Sequence, residues 1–324
     1  MPDELDLLRG ANPVPADGPH FGDGPLDHDA ERRLNQLLYG SGPFSRRRTR
    51  WTWSLATIAV VAATALTLLF AGPNTTPAVA APRPLLVQAG STPVPLARMA
   101  ELADAAAEDG SPKLLKGTHV QTWSMGMSED KPPITLPVER VVRWQADASH
   151  TELVVATDPR HPGRPVLSEG DGEPGLVEDG HVISEQTFGP SWSDAPPEST
   201  PPHDPGRLEA YLQEAQYQST ALTTPELLDA VRVLLDHWTL GAREDAAVAR
   251  LLADAEGLRP VGGVTDRLGR PGQAYVYDGH GSRQMLIMEP VTGAVLGLEN
   301  TATTAEPEWG LKAGDVMDYS AWMR

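Results

Sequence analysis

Residues 51–71, WTWSLATIAVVAATALTLLFA, decide how the chain is divided, because they form an uninterrupted run of uncharged, mostly apolar side chains. An α-helix needs about 20 such residues to cross the hydrocarbon core of a bilayer. A helix buried in a soluble core would show a polar face, whereas this run has only Thr and Ser hydroxyls, which can bond back to the helix backbone. The sequence therefore predicts one transmembrane helix at 51–71.

The residues on either side of the run set its orientation. Basic side chains precede it closely, whereas the next basic residue after it is Arg83. Positively charged flanks are retained in the cytoplasm, and Trp residues are enriched at the membrane interface, where Trp51 and Trp53 would lie. We therefore expect a plasma-membrane protein with residues 1–50 in the cytoplasm and the rest outside. The basic side chains of this flank are Arg46, Arg47, Arg48 and Arg50.

A cleaved signal peptide is the alternative interpretation of the same run. The sequence Ala-Val-Ala-Ala at 78–81 resembles a cleavage site with small residues. Against it, the region before the run is fifty residues long and contains eight acidic side chains. The run is also longer than the apolar stretch of a typical signal peptide, which is about 7–15 residues. These features favour an uncleaved anchor.

The charge of the chain is concentrated in the part predicted to lie outside. The formal net charge is −18, from 44 acidic and 26 basic residues. Only eight of the acidic and seven of the basic residues precede the anchor. An acidic outer domain lacks the basic surface that nucleic acids require, so we expect no nucleic-acid partner.

The residue types that carry common chemistry are sparse or badly spaced. The chain has no cysteine, which excludes disulfides, thiol nucleophiles and cysteine-ligated zinc. None of the nine histidines is three or four residues from another, so no helical pair of metal ligands exists. No nucleophile-elbow, Walker or dinucleotide-binding motif occurs. The sequence predicts no catalytic residue, metal site or cofactor, and we expect the protein not to be an enzyme.

The cytoplasmic tail, 1–50, is too short to bury a core, and we expect it to be mostly disordered. It nevertheless contains apolar residues at helical spacing. These residues suit contacts with a cytoplasmic partner, or equally adsorption to anionic lipid beside the basic flank. Both interpretations remain open. The residues concerned are Leu5, Leu8, Leu34, Leu37 and Leu38.

The remaining chain divides into a Pro-rich stalk at 72–95 and an α+β domain at 96–324. Stretches of alternating polarity predict strands before and after a block of helices, and residues 290–293 have the composition of a hairpin loop. The segment 159–205 is rich in Pro, Gly and acidic residues, so we interpret it as loops with an occasional edge strand. The pattern predicts an antiparallel sheet with inserted helices.

One helix of this block has the strongest local signals. Thr224 is the predicted N-cap, and Pro225 occupies the first helical position. Apolar residues then recur at helical spacing and form a stripe that we expect to be buried against the sheet. The members of this stripe are Leu227, Leu228, Val231, Leu234, Leu235 and Trp238.

Several motifs carry a resemblance to a known family. They are EGLRPV at 256–261, VTDRLGRPG at 264–272, MLIMEPVTGAVLG at 285–297, DELDLLR at 3–9 and DPGRLEAYL at 204–212. The chain resembles an uncharacterised actinobacterial family of single-pass membrane proteins, often encoded beside extracytoplasmic-function sigma factors. The resemblance implies a membrane-tethered regulator or sensor with a cytoplasmic partner such as a sigma factor. Without cysteine, the tail lacks the zinc motif of many cytoplasmic anti-sigma domains.

The hairpins with inserted helices also resemble the curved-sheet lipoprotein carrier fold, which serves as the sensor module of some periplasmic sigma regulators. This second resemblance implies a curved sheet. It also implies an alternative function, a carrier-like module for lipid or another hydrophobic ligand. An apolar cavity inside the sheet would favour the carrier, and convergent polar groups in a cleft would favour an outer-surface hydrolase, the third possibility.

Overall fold

The computed structural model describes residues 82–127, 133–169, 174–190 and 193–324. The transmembrane helix and the cytoplasmic tail therefore lie outside the described residues. So do the residues singled out in them: Leu5, Leu8, Leu34, Leu37, Leu38, Arg46, Arg47, Arg48, Arg50, Trp51 and Trp53. Among the described residues, no helix is both long and apolar enough to cross a membrane.

The described chain forms an α+β domain on an antiparallel sheet, which confirms the predicted fold class. The helices are α1 (Leu96–Ala106), α2 (Pro205–Ala215), α3 (Thr224–Leu235) and α4 (Ala242–Ala253). The strands are β1 (Leu115–Gly126), β2 (Ile134–Trp144), β3 (His150–Ala156), β4 (Val166–Ser168), β5 (Gly175–Val177), β6 (His181–Phe188), β7 (Trp238–Thr239), β8 (Arg259–Thr265), β9 (Pro271–Asp278), β10 (Ser282–Met288), β11 (Val295–Ala302) and β12 (Val316–Trp322).

The main sheet joins two meanders, in the order β6-β3-β2-β1-β12-β11-β10-β9-β8. The first and last long strands pair in its centre, where Thr122 lies opposite Ser320. Helices α2, α3 and α4 occupy the connection between the two meanders, while β4 and β5 form a separate hairpin. The predicted loop at 290–293 joins β10 to β11, with Gly293 at a φ of 69° as this turn requires.

The part of the sheet formed by β1 and β9–β12 is buried on both faces. The helix-side core lies between the sheet and the helices, and it contains all six residues of the predicted stripe, with Leu234 0% exposed. Trp238, predicted to belong to this helix, lies instead in β7, because α3 ends at Leu235. The outer-face core lies on the opposite side of β9–β12 and β1, around Trp123, Ile287 and Tyr319. Partly buried Leu85 packs against this second core. Both cores use alternate residues of the same strands, so these strands lack the alternation of a half-solvated sheet.

Some elements differ from their predicted bounds. Helix α3 begins one residue earlier than expected, with Thr223 as N-cap in a capping box with Glu226. The segment interpreted as loops contains β6, an eight-residue edge strand. The central strand β12 was not predicted at all, because its residues contact both cores and show no simple period.

Candidate functional site

The segment at 83–91, which we name the docked segment, lies against the sheet although the sequence assigns it to the stalk. The Gln88 peptide N–H donates to the Gly263 carbonyl at 2.8 Å, and the Gly263 N–H donates to Ser91 Oγ at 2.9 Å. Gly262 makes room for this contact. Its φ is +122°, and a Cβ there would lie 2.5 Å from Ser91 Oγ. Strand β8 thus provides a glycine surface that holds the backbone arriving from the predicted anchor.

Two charged side chains, which we name the outer-face clamp, fix the start of the docked segment. Glu299 accepts a hydrogen bond from the Leu85 peptide N–H at 2.9 Å and forms an ion pair with Arg267. Arg267 also donates to the Arg83 carbonyl at 3.0 Å, with its guanidinium 5.0 Å from the ring centroid of Tyr319. The Glu299 and Arg267 side chains are 1% and 5% exposed. Burial raises the pKa of Glu299, against the opposing charge of Arg267.

A cleft of about 240 Å³ lies at the N-terminus of α4, and we name it the polar cleft. Three separate parts of the chain form it: the loop between α1 and β1, His203 two residues before α2, and the first turn of α4. The peptide N–H of Ala242 donates to the Pro112 carbonyl at 3.0 Å, which holds the loop against the helix. The lining residues are Gly110, Pro112, Lys113, Leu114, His203, Arg243 and Glu244.

Close packing at the base of the polar cleft positions its carboxylate. Glu244 is 9% exposed, although carboxylates are rarely buried unless paired. A Cβ at position 241 would lie 2.6 Å from Glu244 Oε2 and 2.6 Å from the Leu114 nitrogen. Gly241 is therefore required for space. At the rim, the Arg243 guanidinium lies over Gly110, whose added Cβ would be 3.1 Å from Arg243 Nε.

A second buried carboxylate belongs to a structural cluster. Asp158 accepts hydrogen bonds from Arg160 at 2.7 and 2.9 Å and from Trp123 Nε1 at 3.3 Å. His161 Nδ1 lies 3.2 Å from the same carboxylate. Burial alone would raise the pKa of Asp158, but the hydrogen bonds and charge of Arg160 outweigh it, and the pKa is lowered. Both oxygens already have protein partners, so this cluster fastens a loop to Trp123.

An aromatic row crosses β2, β3 and β6. Trp144, His150 and Phe188 stack in register, with centroid distances of 4.3 and 4.6 Å. Lys116 Nζ lies 3.7 Å from the Trp144 centroid. Burial lowers the pKa of both Lys116 and His150. Because the rings stack on each other, their faces are largely covered within the row, and we interpret Trp144 as a packing residue.

The predicted partner contacts and membrane flanks lie outside the described residues, so none of them contributes to these features. Within the described chain, no group of three or more His, Asp or Glu side chains is arranged to hold a metal ion. The sequence reasoning missed the polar cleft, because Glu244 has the position of an ordinary first-turn acid. It also missed the outer-face clamp, although Glu299 is an acid within the apolar strand VLGLEN at 295–300.

Comparison with known proteins assigns no family. No protein-family model and no curated protein matches the chain. Among solved structures, the dehydratase domain from the CurK module of curacin polyketide synthase aligns at 13% identity, covering 72% of this chain and 82% of that chain. An inactive mutant of the CurK dehydratase aligns at 12% identity with the same coverage. The TM-score is 0.12 in both cases, so neither similarity bears on fold or function.

Proposed function

We propose that this chain is a single-pass membrane regulator. Its extracytoplasmic α+β domain would sense a ligand or envelope condition, and its cytoplasmic tail would bind a partner such as a sigma factor. The observation that carries the proposal is the docking of residues 83–91. Backbone groups of Arg83 and Leu85, the first part of the described chain after the predicted anchor, are held by the buried Glu299–Arg267 pair. A sensor needs such a connection, because a change in the domain must reach the membrane helix.

The alternative function, a carrier for lipid or another hydrophobic ligand, requires an accessible apolar groove. Between the helices and the sheet, the apolar side chains pack on one another, with Leu212 and Leu234 0% exposed and Leu286 1% exposed. The protein's own side chains therefore fill this space. This packing favours a regulatory role over a carrier role, and the role we propose is not enzymatic.

The first test concerns the topology on which the proposal depends. A reporter that is active only outside the membrane, fused after residue 83, should be active. The same reporter fused after residue 42 should be inactive, because the arginine cluster retains the tail in the cytoplasm. The reverse pattern would refute the proposal. Protein recovered from the medium with its N-terminus near residue 81 would show a cleaved signal peptide instead.

The second test concerns the tail. A peptide covering residues 1–45 should bind a purified extracytoplasmic-function sigma factor, and replacing Leu34, Leu37 and Leu38 by Ala should abolish the binding. Anionic vesicles provide the competing probe, since Arg32 and Arg33 also suit adsorption to lipid. Micromolar binding to vesicles with no binding to any sigma factor would refute the regulatory function of the tail.

A further inference from the structure

The polar cleft contains the carboxylate of a largely buried residue, Glu244, which has no side-chain partner among the described residues. Glu244 is 9% exposed and lines the cleft. Within the described residues, no side chain forms an ion pair or a hydrogen bond with its carboxylate. A buried charge without a partner is costly, so most buried carboxylates are paired or hydrogen-bonded. The cleft therefore offers an acceptor that a bound cationic group would satisfy.

The same cleft also has uncommitted positive charge. Arg243, Lys113 and His203 line it, and none of the three forms an ion pair with another described residue. They surround the first turn of α4, where the Ala242 N–H is bonded to the Pro112 carbonyl and Gly241 provides no side-chain cap for the other first-turn peptide N–H groups. These groups and the helix dipole attract an anion. A lone anion would however meet Glu244, and a lone cation would meet the guanidinium.

We infer that the polar cleft binds a small zwitterion, a compound with one carboxylate and one ammonium group such as a free amino acid. The ligand carboxylate would face Arg243, Lys113 and the N-terminus of α4, and its ammonium would face Glu244. The cleft volume of about 240 Å³ is below the range of roughly 300–1,000 Å³ typical of sites for drug-sized ligands, which suits a compound of this size. The inference rests on the proposed sensor function and names the ligand class that the domain would sense.

Calorimetric titration of the full-length protein in detergent with glycine, L-alanine and L-glutamine tests the inference. Acetate and ethylamine serve as half-ligands with only one of the two charges. We expect at least one amino acid to bind, and each half-ligand to bind at least about tenfold more weakly, since each lacks one charge-assisted interaction. Failure of all three amino acids to bind would overturn the inference. Acetate binding as tightly as the amino acid would also overturn it, because the cleft would then be a simple anion site.

Variants of the cleft give an independent readout. Glu244→Gln and Arg243→Gln should each weaken amino-acid binding by at least about tenfold. Arg243 is exposed, so its replacement should not affect folding. Arg250→Gln is the matched control, since Arg250 lies on the same helix but pairs with Asp104 outside the cleft. Unchanged affinity in Arg243→Gln would refute the assignment. If the amino acids fail to bind while the tail peptide still binds a sigma factor, the ligand class is wrong and the regulatory function stands.

Discussion

From the outer-face clamp we predict how the energetic cost of breaking a buried ion pair differs from that of breaking an exposed one. Glu299→Leu leaves the Arg267 guanidinium, 5% exposed, without its counter-charge. Breaking a buried pair in this way costs about 3–5 kcal/mol, because an uncompensated charge remains in the interior. The double variant Glu299→Leu with Arg267→Met removes both charges. It should lose only about 2 kcal/mol, for the hydrogen bonds of the Leu85 N–H and of the Arg83 carbonyl, so we expect it to be at least about 1 kcal/mol more stable than the single variant.

Urea denaturation of the full-length protein in detergent, followed by tryptophan fluorescence, measures both costs. The exposed ion pairs of Asp278 with Arg259 and Arg283 provide the control, since Asp278→Leu should cost less than about 1 kcal/mol. Hydrogen exchange at the Leu85 amide should accelerate in both clamp variants, because both remove its acceptor. A double variant as unstable as the single one would refute the reasoning, since it would show that stranded charge is not the source of the loss.

Three further predictions concern the core, a helix cap and pH. Leu234→Ala should lower the free energy of unfolding by about 2–5 kcal/mol, with Leu86→Ala, at an 83% exposed position, as the neutral control in the same urea experiment. Thr223→Ala should cost about 1 kcal/mol by removing the capping box of α3, measured against Thr220→Ala. Burial raises the pKa of Asp245 to about 6 from 3.8, against the opposing charge of Arg324. Between these two values the folded state retains a proton that the unfolded chain loses, so the free energy of unfolding should fall as pH rises from about 4 to about 6. Asp245→Asn should reduce this fall, measured as the urea denaturation midpoint at each pH.

The pattern of apolar residues along the sequence was sufficient to predict an element when that element buries only one of its faces. The α3 stripe could be predicted because its residues recur every three or four positions, and all are buried. The same reasoning did not predict strand β12, because Tyr319 belongs to the outer-face core and Trp322 to the helix-side core. Strand β6 agrees with the occasional edge strand expected within 159–205, but its bounds could not be predicted. As an edge strand with Val182 49% exposed, it has too little apolar character to stand out from a loop.

The polar cleft could not be found by pattern, because tertiary structure alone brings its parts together. Lys113, His203 and Glu244 come from positions about 90 and 40 residues apart in sequence. Each has an ordinary local explanation: an exposed loop lysine, a loop histidine and an acid in the first turn of a helix. What distinguishes Glu244 is its burial without a side-chain partner in the described part of the chain, and this burial depends on the loop that Pro112 anchors to α4.

The order of features along the chain connects the cleft to the end of the domain that follows the predicted anchor. The docked segment, 83–91, leads directly into α1 (Leu96–Ala106), and α1 leads into the loop that lines the cleft. Helix α1 spans about 16 Å at 1.5 Å per residue and is held to α4 by the ion pair of Asp104 with Arg250 at 2.5 Å. On the proposal above, a ligand that moved this loop would act on one end of α1, and the other end of α1 continues toward the clamped backbone. Energetic coupling between two sites requires an element with two arrangements, whose equilibrium both sites shift. Helix α1, which connects the docked segment to the loop of the polar cleft, is the candidate for this element.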